Sequence, residues 1–327
     1  MARLMVTGGA GYVGSHCARH LAALGHEIVV VDDLSTGHPE AAVGRLVELD
    51  LRDEAGLASV LADGIDAVLH FAARTMVGES VSDPLRYYDI NVRGTIGLLQ
   101  AMKRTNVRRI VFSSSCAVYG VPDAVPIVED NPFRPISPYG ASKAVIDQLL
   151  TDLRRTGEVA SFALRYFNAA GAASDGWLGE SHQPETHLIP IALAAAAHGR
   201  TMTVNGTDFP TRDGTCERDY VHVEDLADAH ARAVELLLDG HPGDAINIGS
   251  GRGDSVADVL RAVEGATGRE IPKRFGARRI GDPPALVARP DRARDVLGWE
   301  AALGLERIVA DAWRWYQHPR FGPNPPC

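Results

Sequence analysis

The chain opens on RLMVT (residues 3–7), a short apolar run that stops at glycines. The same form recurs in EIVVVDD (27–33), RLVELD (45–50), DAVLHFAA (66–73), RRIVFSSS (108–115) and VASFALRYF (159–167). Between these runs, 12–24, 53–62, 84–104 and 138–155 carry apolar residues at helical spacing. Apolar runs that alternate with helices predict a parallel sheet covered on both faces. The expected fold class is α/β: a doubly wound, Rossmann-type sheet with a smaller mixed α/β substrate-binding domain. After residue 168 the pattern loosens. GAASDGWLGESHQPE (171–185) reads as loop, 188–198 and 224–239 as helices, and AINIGS (245–250) as one more strand. The expected division is a first domain over 1–168 and a second over 169–327, with 217–248 a candidate to return to the first.

Composition narrows the class. The chain has 327 residues, with 45% hydrophobic and 23% charged, which suits a soluble globular protein of one large or two ordinary domains. Its net charge of −9 lacks the basic face of a general nucleic-acid binder. Cys17, Cys116, Cys216 and Cys327 are far apart and form no C-x-x-C pair, so neither a zinc site nor a disulfide framework is expected. No stretch approaches a membrane span, and the N-terminal apolar run is too short for a secretion signal. Reduced thiols in a cytoplasm are the expectation.

The glycines after the first run bring in chemistry. TGGAGYVGSH (7–16) holds Gly9, Gly11 and Gly14 in G-x-G-x-x-G spacing, with Gly8 as a fourth and Tyr12 and Val13 inside the turn. A strand before it and a helix after it make this a pyrophosphate cradle at a helix N-terminus. Asp32, followed by Asp33, ends the second strand 18 residues after Gly14. A carboxylate there accepts from ribose hydroxyls and repels a 2′-phosphate, so NAD is expected over NADP. Asp50 and Leu51 close the third strand; either they hold the adenine, or Asp50 or Asp53 caps the next helix. Phe71, Ala72 and Ala73, followed by Arg74, end the fourth strand with small side chains where a cofactor passes closely.

SPYGASK (137–143) begins as a helix does, with Ser137 and then Pro138. Tyr139 and Lys143 are four apart and share a face. A free phenol has a pKa near about 10 and is a poor base at neutral pH. A neighbouring lysine and a cationic nicotinamide ring are expected to favour the phenolate, which then takes a proton from a sugar hydroxyl. An ordinary surface helix is the plainer reading, and the nucleotide turn upstream weighs against it. Ser113 to Ser115 end the fifth strand at the sheet's carboxyl edge, where ligands sit. A hydroxyl there can share the hydrogen bond to the reacting oxygen.

Taken together, TGGAGYVGSH, HFAA, SSSCAVYG, SPYGASK, LRYFNAAGA and GTCERDYVHVEDLA resemble the extended short-chain dehydrogenase/reductase superfamily. Within it they are most similar to the UDP-glucose 4-epimerase family, in the family's order and over nearly the whole chain. The resemblance implies NAD-dependent 4-epimerisation of a UDP-hexose, UDP-galactose or UDP-glucose, through a transient 4-keto sugar. It implies Tyr139 as base, Lys143 as the residue that lowers its pKa and binds the nicotinamide ribose, and Ser115 as partner of the 4-oxygen. It also implies Asn91, Ser113 and Tyr166 around the cofactor. Asn168, His187, Leu188, Arg218, Arg279 and Asp282 are implied around the nucleotide sugar. Asn205 stands where many relatives carry an aromatic against the uracil. Leu286 stands at the position that gates the hexose pocket; its intermediate size leaves the N-acetyl pair within the expected range.

Related 4,6-dehydratases place an Asp-Glu pair directly after the active hydroxyl. Here those positions are Cys116 and Ala117, so the site is equipped to oxidise and reduce rather than to eliminate water. A UDP-uronic acid 4-epimerase or decarboxylase shares the fold, but needs a pocket for a 6-carboxylate that the sequence does not reveal. A non-catalytic NAD sensor commonly loses the Tyr or the Lys, and both are retained. Relatives often pair as homodimers through two helices, here 84–104 and 138–155.

Overall fold

The computed structural model describes residues 1–279 and 281–322; Cys327 lies outside the described residues. Strands β1 (Arg3–Thr7), β2 (Glu27–Asp32), β3 (Arg45–Glu48), β4 (Ala67–His70), β5 (Arg109–Ser115) and β6 (Ala160–Tyr166) form where the apolar runs place them. Helices α1 (Tyr12–Ala23), α2 (Glu54–Leu61), α3 (Val77–Ser82), α4 (Pro84–Tyr87), α5 (Gly94–Arg104) and α6 (Pro138–Arg155) lie between them. The second half adds β7 (Asn168–Ala170), α7 (Leu188–His198), β8 (Met202–Asn205), β9 (Glu217–Arg218), β10 (Tyr220–His222) and α8 (Val223–Leu238). It continues with β11 (Ala245–Ile248), β12 (Asp254–Ser255), α9 (Val256–Thr267), β13 (Lys273–Gly276), β14 (Ala285–Leu286), α10 (Asp291–Leu297) and α11 (Leu305–Gln317).

The main sheet has seven strands in the order β11-β6-β5-β4-β1-β2-β3, and all of its pairings are parallel. Strand order reverses between β1 and β4, so the ligand crevice of a doubly wound sheet opens there. Side chains alternate across the sheet. Leu4 and Val6 face a layer built with α1 and α8, whereas Met5 faces one built with α2, α5 and α6. Both layers are apolar, which is why the strands read as unbroken hydrophobic runs.

Residues 223–248 supply α8 and β11 to this first unit. So does a later segment that the sequence placed elsewhere: Ala293, Leu297 and Trp299 pack into the same core. Helices α7, α9 and α11 form a second core with Ile189, Leu193, Val259 and Ile308. Among the described residues, no helix is long and apolar enough to cross a membrane.

The predicted helix 84–104 is interrupted. Tyr88–Arg93 widen into a π-helical turn between α4 and α5. Such turns reposition one residue relative to its neighbours. Here Asn91 turns inward and its amide binds the Arg74 backbone and the Ser142 hydroxyl.

Candidate active site

A cavity of about 1060 Å³ lies along the carboxyl edge of the sheet, between the two units. That is at or above the upper end for a single small ligand. One end is the glycine turn. Gly8, Gly11, Tyr12, Val13 and Gly14 line it, and α1 begins at Gly11 without a side-chain cap. Its first N–H groups are therefore available to an anion. A Cβ on Gly14 would stand 2.2 Å from the Gly8 carbonyl oxygen, which is backbone and cannot yield. Gly14→Ala is expected to distort the turn, and protein purified with it should carry little NAD when bound cofactor is assayed after denaturation.

Asp32 and Asp33 follow on the same wall. The Asp32 carboxylate accepts from the Ala10 and Leu34 amides at 3.0 and 2.9 Å, which fixes its orientation toward the turn. Asp50 and Leu51 also line the cavity. The helix cap is Asp53, which accepts from the Gly56 amide, while Asp50 is paired with Arg52. The Arg52 hydrogen bond holds the Asp50 carboxyl below its ordinary range. Phe71, Ala72, Ala73 and Arg74 complete this end. The uncapped helix, the cradle closed to any Cβ and the oriented Asp32 fit a dinucleotide.

At the centre stand Ser113, Ser115, Tyr139, Lys143 and Tyr166. Helix α6 brings two of them. Ser137 caps it by accepting from the Gly140 amide at 3.1 Å, and Pro138 occupies the first turn. A Cβ on Gly140 would meet the Ala117 carbonyl at 2.6 Å. The missing side chain thus lets the start of α6 press against the end of β5, where Ser115 sits. Lys143 Nζ donates to the Ser113 carbonyl at 2.7 Å and lies 4.9 Å from the centre of the Phe112 ring. Ser113 and Tyr166 share a hydroxyl hydrogen bond.

The protein's own interior disfavours charge at both groups. Burial pushes the Tyr139 phenol up to about 12, and a hydrogen bond from Ser115 offsets part of that. Burial also lowers the Lys143 ammonium to about 7. In the protein alone, desolvation therefore holds both groups toward their neutral forms. The proton lost near pH 7 is that of Lys143, and the phenol keeps its own. A working base must lose the phenol proton, which a cation beside it favours. On the acid limb, turnover should fall about tenfold per pH unit. Lys143→Ala should shift the limb alkaline, toward the phenol's own value. A pH–rate profile of both proteins checks this, and an acid side that is flat in the native enzyme contradicts it.

The far end is lined by Asn168, His187, Leu188, Asn205, Arg218, Arg279 and Asp282. Arg218 is held by the Glu217 and Pro283 carbonyls at 2.8 and 3.0 Å, and approaches Asp282 at 3.4 Å.

Two expected site residues are not on the wall. Asn91 is buried behind it and holds Arg74, which does line the cavity. Leu286 is paired with Arg218 through β14 and packs against the cluster that includes Cys116 and Phe167, both of which line the cavity. Conversely, Glu180, His182 and Glu185 line the cavity although nothing in their loop sequence suggested it. Trp315 and Tyr316 reach it from α11, whose apolar stripe was a legible signal.

A dinucleotide turn, a central Tyr–Lys pair and a cationic far end define an NAD-dependent enzyme of nucleotide sugars. Comparison with known proteins agrees. The model of the family described as NAD dependent epimerase/dehydratase matches residues 4–249. The chain is similar to the UDP-glucose 4-epimerase of Rhizobium leguminosarum bv. trifolii, at 49% identity over 96% of this chain and 97% of that one. It is similar to the crystal structure of the Brucella ovis UDP-glucose 4-epimerase in complex with NAD. There the TM-score is 0.93 at 47% identity, over 96% of this chain and 98% of that one. A Stenotrophomonas maltophila UDP-glucose 4-epimerase with NAD and formylated UDP-arabinopyranose gives a TM-score of 0.93 at 40% identity, over 96% and 98%. The chain belongs to the NAD dependent epimerase/dehydratase family.

Proposed function

We propose that this enzyme inverts C4 of a UDP-hexose, interconverting UDP-galactose and UDP-glucose with NAD held in the site. The single observation that carries the reading is the centre of the cavity. Tyr139 and Ser115 face the reacting position together, and Cys116 and Ala117 offer no carboxylic acid beside them. Burial holds the Cys116 thiol up at about 12, so it stays protonated and moves no proton.

NAD⁺, when bound, supplies the acceptor for the C4 hydride and later its return. Tyr139 takes the 4-OH proton and gives it back. Ser115 hydrogen-bonds the 4-oxygen in both directions. Lys143 adds positive charge beside the phenol and orients the nicotinamide ribose. Gly8, Gly11, Tyr12, Val13 and Gly14 hold the pyrophosphate, and Asp32 holds the adenosine ribose. Arg218 and Arg279 hold the UDP diphosphate, with Asp282 at the uridine ribose. Residues 1–168 with 223–248 are the cofactor half, and most of the remainder is the nucleotide-sugar half.

Deuterium at C4 of UDP-galactose tests the hydride path. The reading expects the label at C4 of the product, and its loss to solvent contradicts that. UDP-N-acetylgalactosamine in the same assay tests the N-acetyl pair.

Pairing through residues 84–104 and 138–155 belongs to the same proposal. Leu85, Tyr88, Ile96 and Val145 in these segments are exposed, Leu85 at 81%. Grouped exposed apolar residues mark an interaction surface. Light scattering should give a dimer mass for the native chain and a monomer mass for Leu85→Glu. A monomeric native chain contradicts this part.

A further inference from the structure

The loop between β7 and α7 brings together four side chains that the reaction does not explain as a group. Glu180, His182, Glu185 and His187 each place one ligating atom so that all four lie within 4.8 Å of one another. Glu180 Oε1 is 3.0 Å from His182 Nδ1, and His182 Nδ1 is 3.8 Å from Glu185 Oε2. His187 directs its own Nδ1 at the same Glu180 oxygen. A four-coordinate ion with bonds of about 2.0–2.2 Å sets its ligand atoms about 3.3–3.6 Å apart. These two separations bracket that edge length, and His187 and Glu180 stand closer than it.

The four groups are also held from outside. The other Glu185 oxygen accepts from the Thr186 and His187 amides at 2.7 and 2.8 Å, which leaves Oε2 facing the cluster. Trp315 Nε1 donates to the Glu180 carbonyl at 2.9 Å. The His182 ring stands edge-on to Tyr12 and to His187. Glu180's side chain is only 6% exposed, whereas His187's is 55% exposed, so the cluster opens at the cavity rim.

Two imidazoles and two carboxylates make up the donor set, and a divalent ion balances the two carboxylates. Mixed imidazole and carboxylate donors suit zinc or cobalt better than magnesium or calcium.

We infer that Glu180, His182, Glu185 and His187 form a binding site for one divalent ion of the zinc or cobalt class at the cavity rim. The ion takes no part in hydride or proton transfer. It ties the 180–187 loop to the starts of α1 and α7.

The test uses tag-free holoenzyme, treated with chelator and desalted, then titrated with Co²⁺ alone. The expected result is one equivalent bound per chain, with the intense visible bands of four-coordinate cobalt. His182→Ala and Glu185→Gln, tested separately, should each weaken uptake by more than about tenfold. NAD content and circular dichroism verify that each variant is folded, and if one fails to fold the other decides. No stoichiometric uptake, a six-coordinate spectrum, or native affinity in a folded variant overturns the inference.

Discussion

Replacing Tyr139 by Phe should cut turnover by about 10²–10⁴-fold, the usual contribution of a positioned general base. The change removes one oxygen and leaves the ring, so the packing of α6 against β5 is preserved. The glycine turn and Asp32 lie at the other end of the cofactor half, so the purified variant should carry NAD as the native protein does. Measured together, turnover and bound NAD separate a lost base from a lost cofactor. Near-native turnover with full NAD content removes Tyr139 from the role of base. Ser115 cannot substitute: a serine hydroxyl has no ionised form at neutral pH to accept the proton.

Asp147→Ala should destabilise the fold by about 3–5 kcal/mol, the cost of leaving a buried partner's charge uncompensated. Asp147 lies four residues beyond Lys143 on the same face of α6. Its carboxylate takes both Arg165 Nε and Nη2 at 2.8 Å, and also accepts from Ser114 Oγ at 2.8 Å. The Asp147 side chain is fully buried and that of Arg165 is 6% exposed. Arg165 goes on to Tyr119, whose hydroxyl donates to Asn247. The network joins β5, β6, β11 and α6 directly beneath the reacting groups. Urea denaturation of both proteins measures the loss, and a difference below about 1 kcal/mol is what an exposed pair gives. Such a value would mean that α6 is held by its apolar face alone.

Much of this was legible in the chain. The parallel sheet followed from apolar runs such as EIVVVDD, because strands buried on both faces have no polar alternation to hide. The glycine turn and the Tyr139–Lys143 pair depend on spacing within one element, and spacing survives in sequence. What depends on contacts between distant segments did not. Asp147 in mid-helix reads as a solvent-facing residue until β6 supplies Arg165. Leu286 matched a pocket position by resemblance, and its pairing with Arg218 through β14 is a contact that only folding makes. Glu180, His182, Glu185 and His187 lie in a loop with no periodicity, and only folding converts them into a cluster. The π-helical turn at Tyr88–Arg93 has no composition of its own; the Asn91 hydrogen bonds to Arg74 and Ser142 accompany it. Helix α9, by contrast, is announced by the Ser255–Asp258 capping box.

The most direct measurement is a proton NMR spectrum of UDP-galactose incubated with the purified protein and no added cofactor. The account predicts UDP-glucose, formed with NAD that the protein has retained. Unchanged UDP-galactose, even after NAD⁺ is supplied, would contradict it.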